Sequence, residues 1–207
     1  MSPKDERACG PGGAGYAGDA PNPLILVVAA TEKELAASGA PDTLCCGIGP
    51  AESGIRTAMA LAELRPDAVL HVGIAGAPEL ETLSVVIGSE AQYADIVDPS
   101  STMPRVERAH PAPELVEAAR RALPDAQVLP IASCARVGGG GECHVEAMEG
   151  FSVLRAAELA GVPAVEVRTI SNSPAEVDRG LWRIEDALAR LGEIVPLLLE
   201  ELSLCVR

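Results

Sequence analysis

The chain has 207 residues, of which 48% are hydrophobic and 22% charged, and its formal net charge is −14 at pH 7. This length and composition are typical of one well-packed globular domain. The negative charge argues against nucleic acid or an anionic membrane as a partner, and no apolar run reaches the roughly 18 residues of a membrane span. We expect a reduced, cytoplasmic protein, because no signal-peptide pattern opens the sequence and its six cysteines show no paired spacing.

The first stretch of the chain, residues 1–22, is rich in glycine, proline and charge and has almost no apolar periodicity. This composition predicts a disordered leader, because it offers too little apolar surface to bury. We therefore expect the folded domain to span residues 23–207. It would begin with the apolar run Leu24–Ala30, whose continuous hydrophobicity is typical of a strand buried on both faces.

Strands and helices alternate along the rest of the chain. Further strands are predicted over 43–48, 68–72, 85–87, 92–97, 127–132 and 164–170, and helices over 51–64, 113–123, 153–160 and 184–198. Three strand–helix repeats near the start predict an α/β domain with a largely parallel central sheet. We also expect a bulge at Gly88 and a loop over 98–113.

Two of the predicted helices carry distinctive features. In the helix over 51–64, Ile55, Ala58, Met59 and Ala62 lie on one face. In the C-terminal helix, Pro196 predicts a kink or a break, because proline lacks the backbone N–H that a helix interior needs.

The stretch 147–172 organises the predicted site. A helix, a turn and a buried strand connect Met148–Glu149 at its start with Ser171–Asn172 at its end. Such a unit can bring both ends together at one edge of a sheet, where α/β proteins usually bind ligands. The strand also carries two charges, Glu166 and Arg168, among aliphatic residues.

Three other residues each have two interpretations. Glu34 follows the first strand, at the edge where a ligand would lie, but Thr31 and Glu34 also form a capping-box pattern that needs no catalysis. His71 lies inside an apolar strand and is more typical of a satisfied core histidine than of a catalyst. Trp182, the only tryptophan, fits either a core position or a pocket lid, and the sequence does not separate the two.

The glycine turns at 47–49 and 73–76 follow strands and let the backbone approach a ligand closely. Neither matches the G-x-G-x-x-G fingerprint of dinucleotide-binding proteins, and the chain contains no P-loop and no nucleophile elbow. A metal site at Cys134, Cys143 and His144 would match no standard zinc spacing. We therefore expect neither a cofactor nor a metal.

Several short motifs occur in the order found in one superfamily. They are ATEKEL at 30–35, GIGP at 47–50, VGIAGAPEL at 72–80, SEAQYADI at 89–96, AMEG at 147–150 and VRTISN at 167–172. Together they resemble the purine nucleoside phosphorylase and nucleosidase superfamily, particularly the methylthioadenosine/S-adenosylhomocysteine nucleosidases. The segment 170–188 is more similar to the futalosine hydrolases. The resemblance covers about residues 24–200 and implies one three-layer α/β/α domain with a mixed, largely parallel sheet.

The resemblance also implies a role for individual residues. Glu34 matches the general base that activates water beneath the ribose. Glu149 matches the glutamate that binds the ribose hydroxyls and stabilises an oxocarbenium-like transition state, and Met148 matches a methionine that packs against the sugar. The other implied substrate-binding positions are Ala75, Gly76 and Ser171.

Asn172 falls where the adenine-specific nucleosidases carry an aspartate that protonates N7 of the leaving base. An asparagine amide can donate to O6 or N7 of a 6-oxopurine, whereas a carboxylate would face O6 with like polarity. Asn172 therefore indicates hypoxanthine as the leaving group, as in futalosine, with catalysis by hydrogen bonding and transition-state electrostatics. No arginine between Leu24 and Gly54 is available to hold phosphate, which favours hydrolysis over phosphorolysis.

The segment between Ser133 and Glu146 is shorter than the family pattern, and Ala147 stands where the nucleosidases have a glutamate. The leading hypothesis is a futalosine hydrolase of menaquinone biosynthesis, releasing hypoxanthine and dehypoxanthine futalosine. One alternative is another purine nucleosidase or a nucleoside phosphorylase. The other is a non-catalytic nucleoside-binding paralogue, which the short segment would explain. By resemblance we expect a homo-oligomer. We also expect its binding partner to be a small-molecule purine nucleoside, the substrate.

Overall fold

The computed structural model describes residues 22–97, 100, 102, 104–141 and 143–206, so the predicted leader lies outside the described residues except for Asn22. The strands are β1 (Ile25–Ala29), β2 (Thr43–Cys45), β3 (Ala68–Gly76), β4 (Val85–Tyr93), β5 (Arg108–Ala109), β6 (Gln127–Ser133), β7 (Glu146–Ala147) and β8 (Ala164–Asn172). The helices are α1 (Glu32–Ser38), α2 (Pro50–Leu64), α3 (Pro113–Ala122), α4 (Gly150–Ala160) and α5 (Ile184–Cys205), with one 3₁₀ turn at Arg179–Leu181.

The strands form one mixed sheet. The order β2-β1-β3-β8 is parallel throughout, and β4 joins β8 in the antiparallel direction. Beyond β4, the parallel strands β6 and β7 follow, and β7 pairs back with β3, so that β3, β8, β4, β6 and β7 close into a circuit. Five of the eight strand pairings are parallel, which confirms the predicted mixed and largely parallel sheet.

Helices cover the sheet on both faces. In β1, Ile25, Val27 and Ala29 face a core shared with α1, α3 and α5. The alternate residues Leu26 and Val28 face a second core with α4 and the end of α2. Because successive side chains of a strand point to opposite faces, a strand with helices on both faces has to be apolar throughout. The predicted α/β/α layering is confirmed.

The apolar face predicted on α2 is exposed in the structure. Ile55 and Met59 are 60% and 69% exposed, whereas Ser53, Thr57 and Leu61 are buried. The helix approaches α4 closely, since a Cβ added at Gly54 would lie 3.3 Å from the Cβ of Ser152. This spacing admits small side chains, so the larger apolar ones lie on the opposite side.

The bulge at Gly88 is confirmed, but it lies within one continuous strand. The β4–β6 register shifts between Gly88 and Ala91, and both sides of the shift stay paired. The loop predicted over 98–113 contains the short strand β5, which pairs with β4 at Ala91 and Gln92. The pairing depends on a partner distant in sequence, so no local pattern indicates it.

The break predicted at Pro196 does not occur, because α5 continues from Ile184 to Cys205. A proline in a helix interior costs about 3 kcal/mol. Apolar side chains on both sides of Pro196 are buried against the sheet, and each contributes about 1.5–3 kcal/mol. These residues are Leu191, Ile194, Val195, Leu198 and Leu202. None of the helices in the described part of the chain is long and apolar enough to cross a membrane.

Candidate active site

Three strands end at one edge of the sheet and bring the predicted site residues together. β1 leads through Thr31 into α1, which carries Glu34, while β3 ends at Gly76 and β8 at Asn172. Gly76 and Asn172 are partners in the β3–β8 register. The N–H of Ile74 donates to Oε1 of Glu34 at 3.0 Å, and this bond ties α1 to β3.

Glu34 is 5% exposed, and its carboxylate has three hydrogen-bond donors. The N–H and the hydroxyl of Thr31 donate to Oε2 at 3.0 and 2.8 Å, and Ile74 donates to Oε1. The hydroxyl of Thr31 accepts from the Glu34 N–H, so the predicted capping box is confirmed. A carboxylate offers about four acceptor positions, which leaves one on Oε1 for a water or a substrate. Capping and a role at the site are therefore compatible.

Glu149 faces across the site instead of capping its own helix. Its Oε1 accepts from the N–H of Gly49 at 3.0 Å, and its Oε2 lies 3.8 Å from Nη2 of Arg168. Burial raises the pKa of this carboxyl, and the charge of Arg168 and the Gly49 hydrogen bond oppose that rise. Glu149 is thus held in a fixed position by the glycine turn that the sequence singled out.

A buried ionic cluster lies directly behind the two carboxylates. Nε of Arg168 donates to Oε1 of Glu166 at 2.8 Å, and Nη2 contacts Nε2 of His71. Nδ1 of His71 donates to the carbonyl of Val28 at 2.9 Å, which leaves Nε2 as the acceptor for Arg168. Burial and the charge of Arg168 lower the pKa of His71 well below its usual value. His71 is therefore a neutral core histidine, as predicted.

Arg168 lies between the carboxylates of the site. A Cβ added at Gly73 would overlap Nη1 of Arg168 and would lie 2.7 Å from Oε1 of Glu34. Burial lowers the pKa of Arg168, but Glu166, Glu149 and Glu34 outweigh that effect and raise it. The absence of a side chain at Gly73 therefore lets the guanidinium of Arg168 approach Glu34. The sequence pattern predicts a different role for this glycine, namely that it lets the backbone approach a ligand.

The role of Arg168 was not predicted, although the sequence contains a signal for it. Glu166 and Arg168 stand two residues apart in an aliphatic strand, so both point to the same face. His71 is the register partner of Glu166 on the neighbouring strand. Charges on a buried strand next to a buried histidine indicate a paired cluster.

The side-chain amide of Asn172 has a defined orientation. The hydroxyl of Ser171 donates to Oδ1 at 2.8 Å and lies 3.3 Å from the carbonyl oxygen of Ala75. Nδ2 of Asn172 has no hydrogen-bond acceptor among the described residues and lies beside Gly76, where an added Cβ would be 3.3 Å away. The NH₂ group is thus free to donate to a ligand.

Met148 is half-buried and directly precedes the buried Glu149. Ala75 is almost fully buried, and its carbonyl oxygen lies near Ser171. An aromatic pair that the sequence did not reveal lies close by: Tyr93 and Phe151 stack with ring centroids 4.9 Å apart and planes at 12°. Tyr93 is the last residue of β4 and Phe151 lies at the start of α4, where both pack in the core between the sheet and α4.

The short segment between β6 and β7 is hydrogen-bonded to Glu146, the first residue of β7. The carboxylate of Glu146 accepts from the N–H of Gly138 at 2.7 Å and from that of Gly140 at 3.0 Å. His144 lies 3.2 Å from Glu79, and within the described part of the chain no group of three or more potential ligands could hold a metal ion.

Comparisons with known proteins identify the family of this chain. Residues 43–144 match the model of the phosphorylase superfamily. A futalosine hydrolase from Streptomyces coelicolor is 36% identical over 189 residues, covering 76% of this chain and 79% of the relative.

Solved structures show the same fold at lower identity. An S-adenosylhomocysteine nucleosidase from Streptococcus pyogenes, in complex with 5-methylthiotubericidin, superposes with a TM-score of 0.77 at 19% identity and covers 89% of this chain and 98% of its own. The native futalosine hydrolase of Helicobacter pylori superposes with a TM-score of 0.77 at 16% identity, covering 87% and 98%. From the fold, the superfamily match and the 36% identity, the chain belongs to the phosphorylase superfamily, in the family of the Streptomyces coelicolor futalosine hydrolase.

Proposed function

We propose that this protein hydrolyses the N-ribosidic bond of futalosine and releases hypoxanthine and dehypoxanthine futalosine, a reaction of menaquinone biosynthesis. The observation that carries the proposal is Asn172, whose Oδ1 accepts from Ser171 while its NH₂ group has no acceptor among the described residues. The 36% identity to a futalosine hydrolase supports the same substrate.

The base edge explains this choice. Hypoxanthine and adenine both present an acceptor at N7, but only hypoxanthine presents one at the 6-position, where the NH₂ group of Asn172 can donate to O6. Adenine presents a donor at its 6-position, which would meet another donor and leave both groups unpaired. An unpaired buried polar group costs about 1–3 kcal/mol, enough to discriminate between the two bases by about tenfold to a hundredfold.

Glu34 and Glu149 have different roles at the sugar. Glu34 retains a free acceptor position on Oε1 and serves as the general base that activates the attacking water. Glu149 holds the ribose hydroxyls and stabilises the positive charge that develops as the glycosidic bond breaks. Met148 packs against the sugar, and Ala75, Gly76 and Ser171 line the side towards the base.

Arg168 supports both carboxylates from behind. Its permanent charge lowers the pKa of Glu149 against the effect of burial and so favours the ionised form, which a cation-stabilising group requires. Its own bonds to Glu166 and His71 keep it from moving forward to neutralise either carboxylate fully.

Hydrolysis fits the site better than phosphorolysis. A phosphorylase holds phosphate with cations that face the substrate. Among the described residues, Arg168 is the arginine that lies beside Glu34 and Glu149. Its side chain is 1% exposed and is already paired with Glu166 and Glu149. The Gly49 N–H, which could bind an anion, donates to Glu149 instead.

We further propose a cytoplasmic homo-oligomer built from the domain 23–207. The described cysteines 45, 46, 134, 143 and 205 are free thiols, as expected in a reducing compartment. Ile55 and Met59, with Ala58 and Ala62, form an exposed apolar stripe on α2, which we call the α2 stripe. An apolar helix face of this kind supports contact with a second copy.

The proposal is tested with futalosine, inosine and methylthioadenosine, each with and without phosphate, by following the free base. We expect hypoxanthine from futalosine at the same rate in both conditions. A strict phosphate requirement would indicate phosphorolysis and contradict hydrolysis. Base release from methylthioadenosine alone would contradict futalosine as the substrate. Binding of a nucleoside without release of any base would favour the non-catalytic paralogue.

A further inference from the structure

The segment 173–183, which we call the 173–183 loop, starts and ends at the proposed base-binding residues. It leaves β8 directly after Asn172, and an added Cβ at Gly76 would lie 3.0 Å from Cγ of Pro174. At its far end, the N–H of Arg183 donates to the carbonyl of Ser171 at 2.9 Å. The loop therefore returns to the residue that orients Asn172.

The loop leads into α5, which packs against α1, the helix that carries Glu34. An exposed ion pair also joins the two helices, with Nζ of Lys33 3.4 Å from Oε1 of Glu185 at the start of α5. The loop therefore connects the proposed base-binding residue Asn172 with the helix that packs beside α1.

The loop presents a cation on an aromatic ring. The guanidinium of Arg179 lies 5.3 Å from the centroid of the Trp182 ring. Trp182 is half-buried, and its Nε1–H donates to the carbonyl of Glu176 at 3.1 Å, which fixes the ring. Asp178 caps the turn by accepting from the N–H of Gly180 at 2.9 Å. The interpretation of Trp182 as part of a pocket wall thereby gains support over a core position.

Arg179 differs from its neighbouring arginines. Arg183 pairs with Asp186 at 2.8 Å and Arg190 with Glu193 at 2.7 Å, but no carboxylate of the described residues lies within 4.0 Å of the Arg179 side chain. The loop also exposes Val177 and Leu181, at 92% and 65%. A cation without a counter-charge, an aromatic face and exposed aliphatic groups together match a ligand that is both aromatic and anionic.

From this juxtaposition we infer that Arg179 and Trp182 form a subsite for the 5′ substituent of the nucleoside, and that this substituent is an aromatic carboxylate. The inference rests on the proposed function: futalosine carries a benzoate group on the 5′ side of its ribose, whereas inosine carries none. Arg179 pairs with the carboxylate, and Trp182 packs against the ring. Recognition at the 5′ side is thus separate from recognition of the base by Asn172.

The test compares futalosine with its benzamide analogue, in which an uncharged amide replaces the carboxylate. Wild-type protein is expected to prefer futalosine by about tenfold in kcat/KM, and Arg179→Gln to lose that preference. Arg179→Lys should recover part of it because the charge is restored. Arg190→Gln, which also removes one positive charge but on a surface ion pair of α5, should behave as wild type.

A structural role of Arg179 gives a different result. If Arg179→Gln slows both ligands equally, or leaves the wild-type preference intact, the subsite is wrong. Trp182→Phe should retain the affinity for futalosine, since it keeps an aromatic face, whereas Trp182→Ala should lose it. Equal losses for the two Trp182 variants would show that the Nε1 hydrogen bond, and not the ring, matters, and would also overturn the subsite.

Failure of the proposed function would be visible separately. In that case wild-type protein releases no hypoxanthine from futalosine, and the same pair of ligands is compared by calorimetric binding to wild type and Arg179→Gln. A carboxylate preference that depends on Arg179 would still support the subsite, and equal binding of both ligands would exclude it.

Discussion

Asn172 is the residue on which the substrate assignment depends, because Ser171 fixes which end of its amide faces the ligand. Asn172→Asp would replace the NH₂ donor by a second acceptor and should therefore invert the preference between the bases. We expect release of hypoxanthine from futalosine to fall by about tenfold to a hundredfold, and release of adenine from the 6-amino analogue to rise. The rates for both substrates, measured on the same preparation, decide the point. An unchanged preference would mean that another group reads the 6-position.

Glu34 has two roles in this structure, and a pair of variants separates them. Glu34→Gln keeps an acceptor for Thr31, so the helix cap persists, but it removes the base and should lower kcat by about 10²–10⁴-fold. Thr31→Ala removes the capping hydroxyl and should cost about 1 kcal/mol in the free energy of unfolding, with a smaller loss of kcat. Kinetics and thermal unfolding of both variants are the measurements. A Glu34→Gln enzyme with near wild-type rate would reduce Glu34 to a capping residue.

The protonation of Glu149 should determine how kcat/KM falls at low pH. Burial raises its pKa above the usual 4.5, and the ionised form is the one that stabilises the oxocarbenium-like state. The kcat/KM of the wild type should therefore fall as the pH drops through this raised pKa. Glu149→Gln should lower the rate by about 10²–10³-fold and abolish this acid limb.

The same pKa shift has a consequence for stability. A carboxyl whose pKa is higher in the folded than in the unfolded protein binds its proton more tightly in the folded state. At a pH below the unfolded-state pKa both states are protonated and stability is unaffected. At a pH above the folded-state pKa the ionised carboxyl lowers the free energy of unfolding. Glu149→Gln should consequently unfold no more easily than wild type at neutral pH. A clear loss of stability at neutral pH in thermal unfolding would contradict the raised pKa.

At the scale of elements, β8 combines a packed core strand with an ionic cluster. Glu166→Gln keeps the shape of the side chain but leaves Arg168 buried with one counter-charge fewer. We expect a loss of about 3–5 kcal/mol in the free energy of unfolding, measured by denaturant titration, because Glu166 is the carboxylate that Arg168 contacts directly at 2.8 Å, whereas Glu149 lies 3.8 Å away. Thr169→Val on the same strand is the matched control: its hydroxyl is buried without a hydrogen-bond partner among the described residues, so its removal should be neutral or stabilising. Equal effects of the two changes would refute the special role of the cluster.

The sequence predicted the elements whose signal is local. Continuous apolar runs marked β1 and β8, and the Thr31–Glu34 pattern marked the start of α1, because periodicity and capping depend on neighbouring residues. The strand β5 and the orientation of α2 depend on contacts with distant segments, so local patterns missed them.

The candidate site divides in the same way. The motifs and the resemblance they carry predicted Glu34, Glu149 and Asn172 as site residues, and the structure brings the segments that carry them, α1, the start of α4 and the end of β8, to one edge of the sheet. The position of Arg168 between the carboxylates depends on the β3–β8 register and on the missing side chain at Gly73. The pairing of Arg179 with Trp182 depends on how the 173–183 loop folds back on Ser171. The spacing of Glu166 and Arg168 indicates a buried charge pair, but neither the contact of Arg168 with the site carboxylates nor the pairing of Arg179 with Trp182 has a signature in sequence spacing.

At the scale of the whole molecule, the α2 stripe predicts association. Met59→Glu would place a charge in the middle of an apolar contact between copies and should convert the oligomer into a monomer. Leu204→Glu, at a side chain of α5 that is 60% exposed, adds the same charge elsewhere and should leave the assembly intact. The molar mass in solution, measured by light scattering, decides between them. A wild-type protein that is monomeric at every concentration would contradict the proposed homo-oligomer.

The substrate assignment is tested most directly by a competition assay. Wild-type protein is mixed with equal concentrations of futalosine and its 6-amino analogue, without phosphate, and the two free bases are quantified early in the reaction. Since both substrates compete for one site, the ratio of hypoxanthine to adenine equals the ratio of their kcat/KM values. The arrangement of Asn172 predicts hypoxanthine in excess by about tenfold or more. An excess of adenine, or no free base at all, would contradict the assignment of this protein as a futalosine hydrolase.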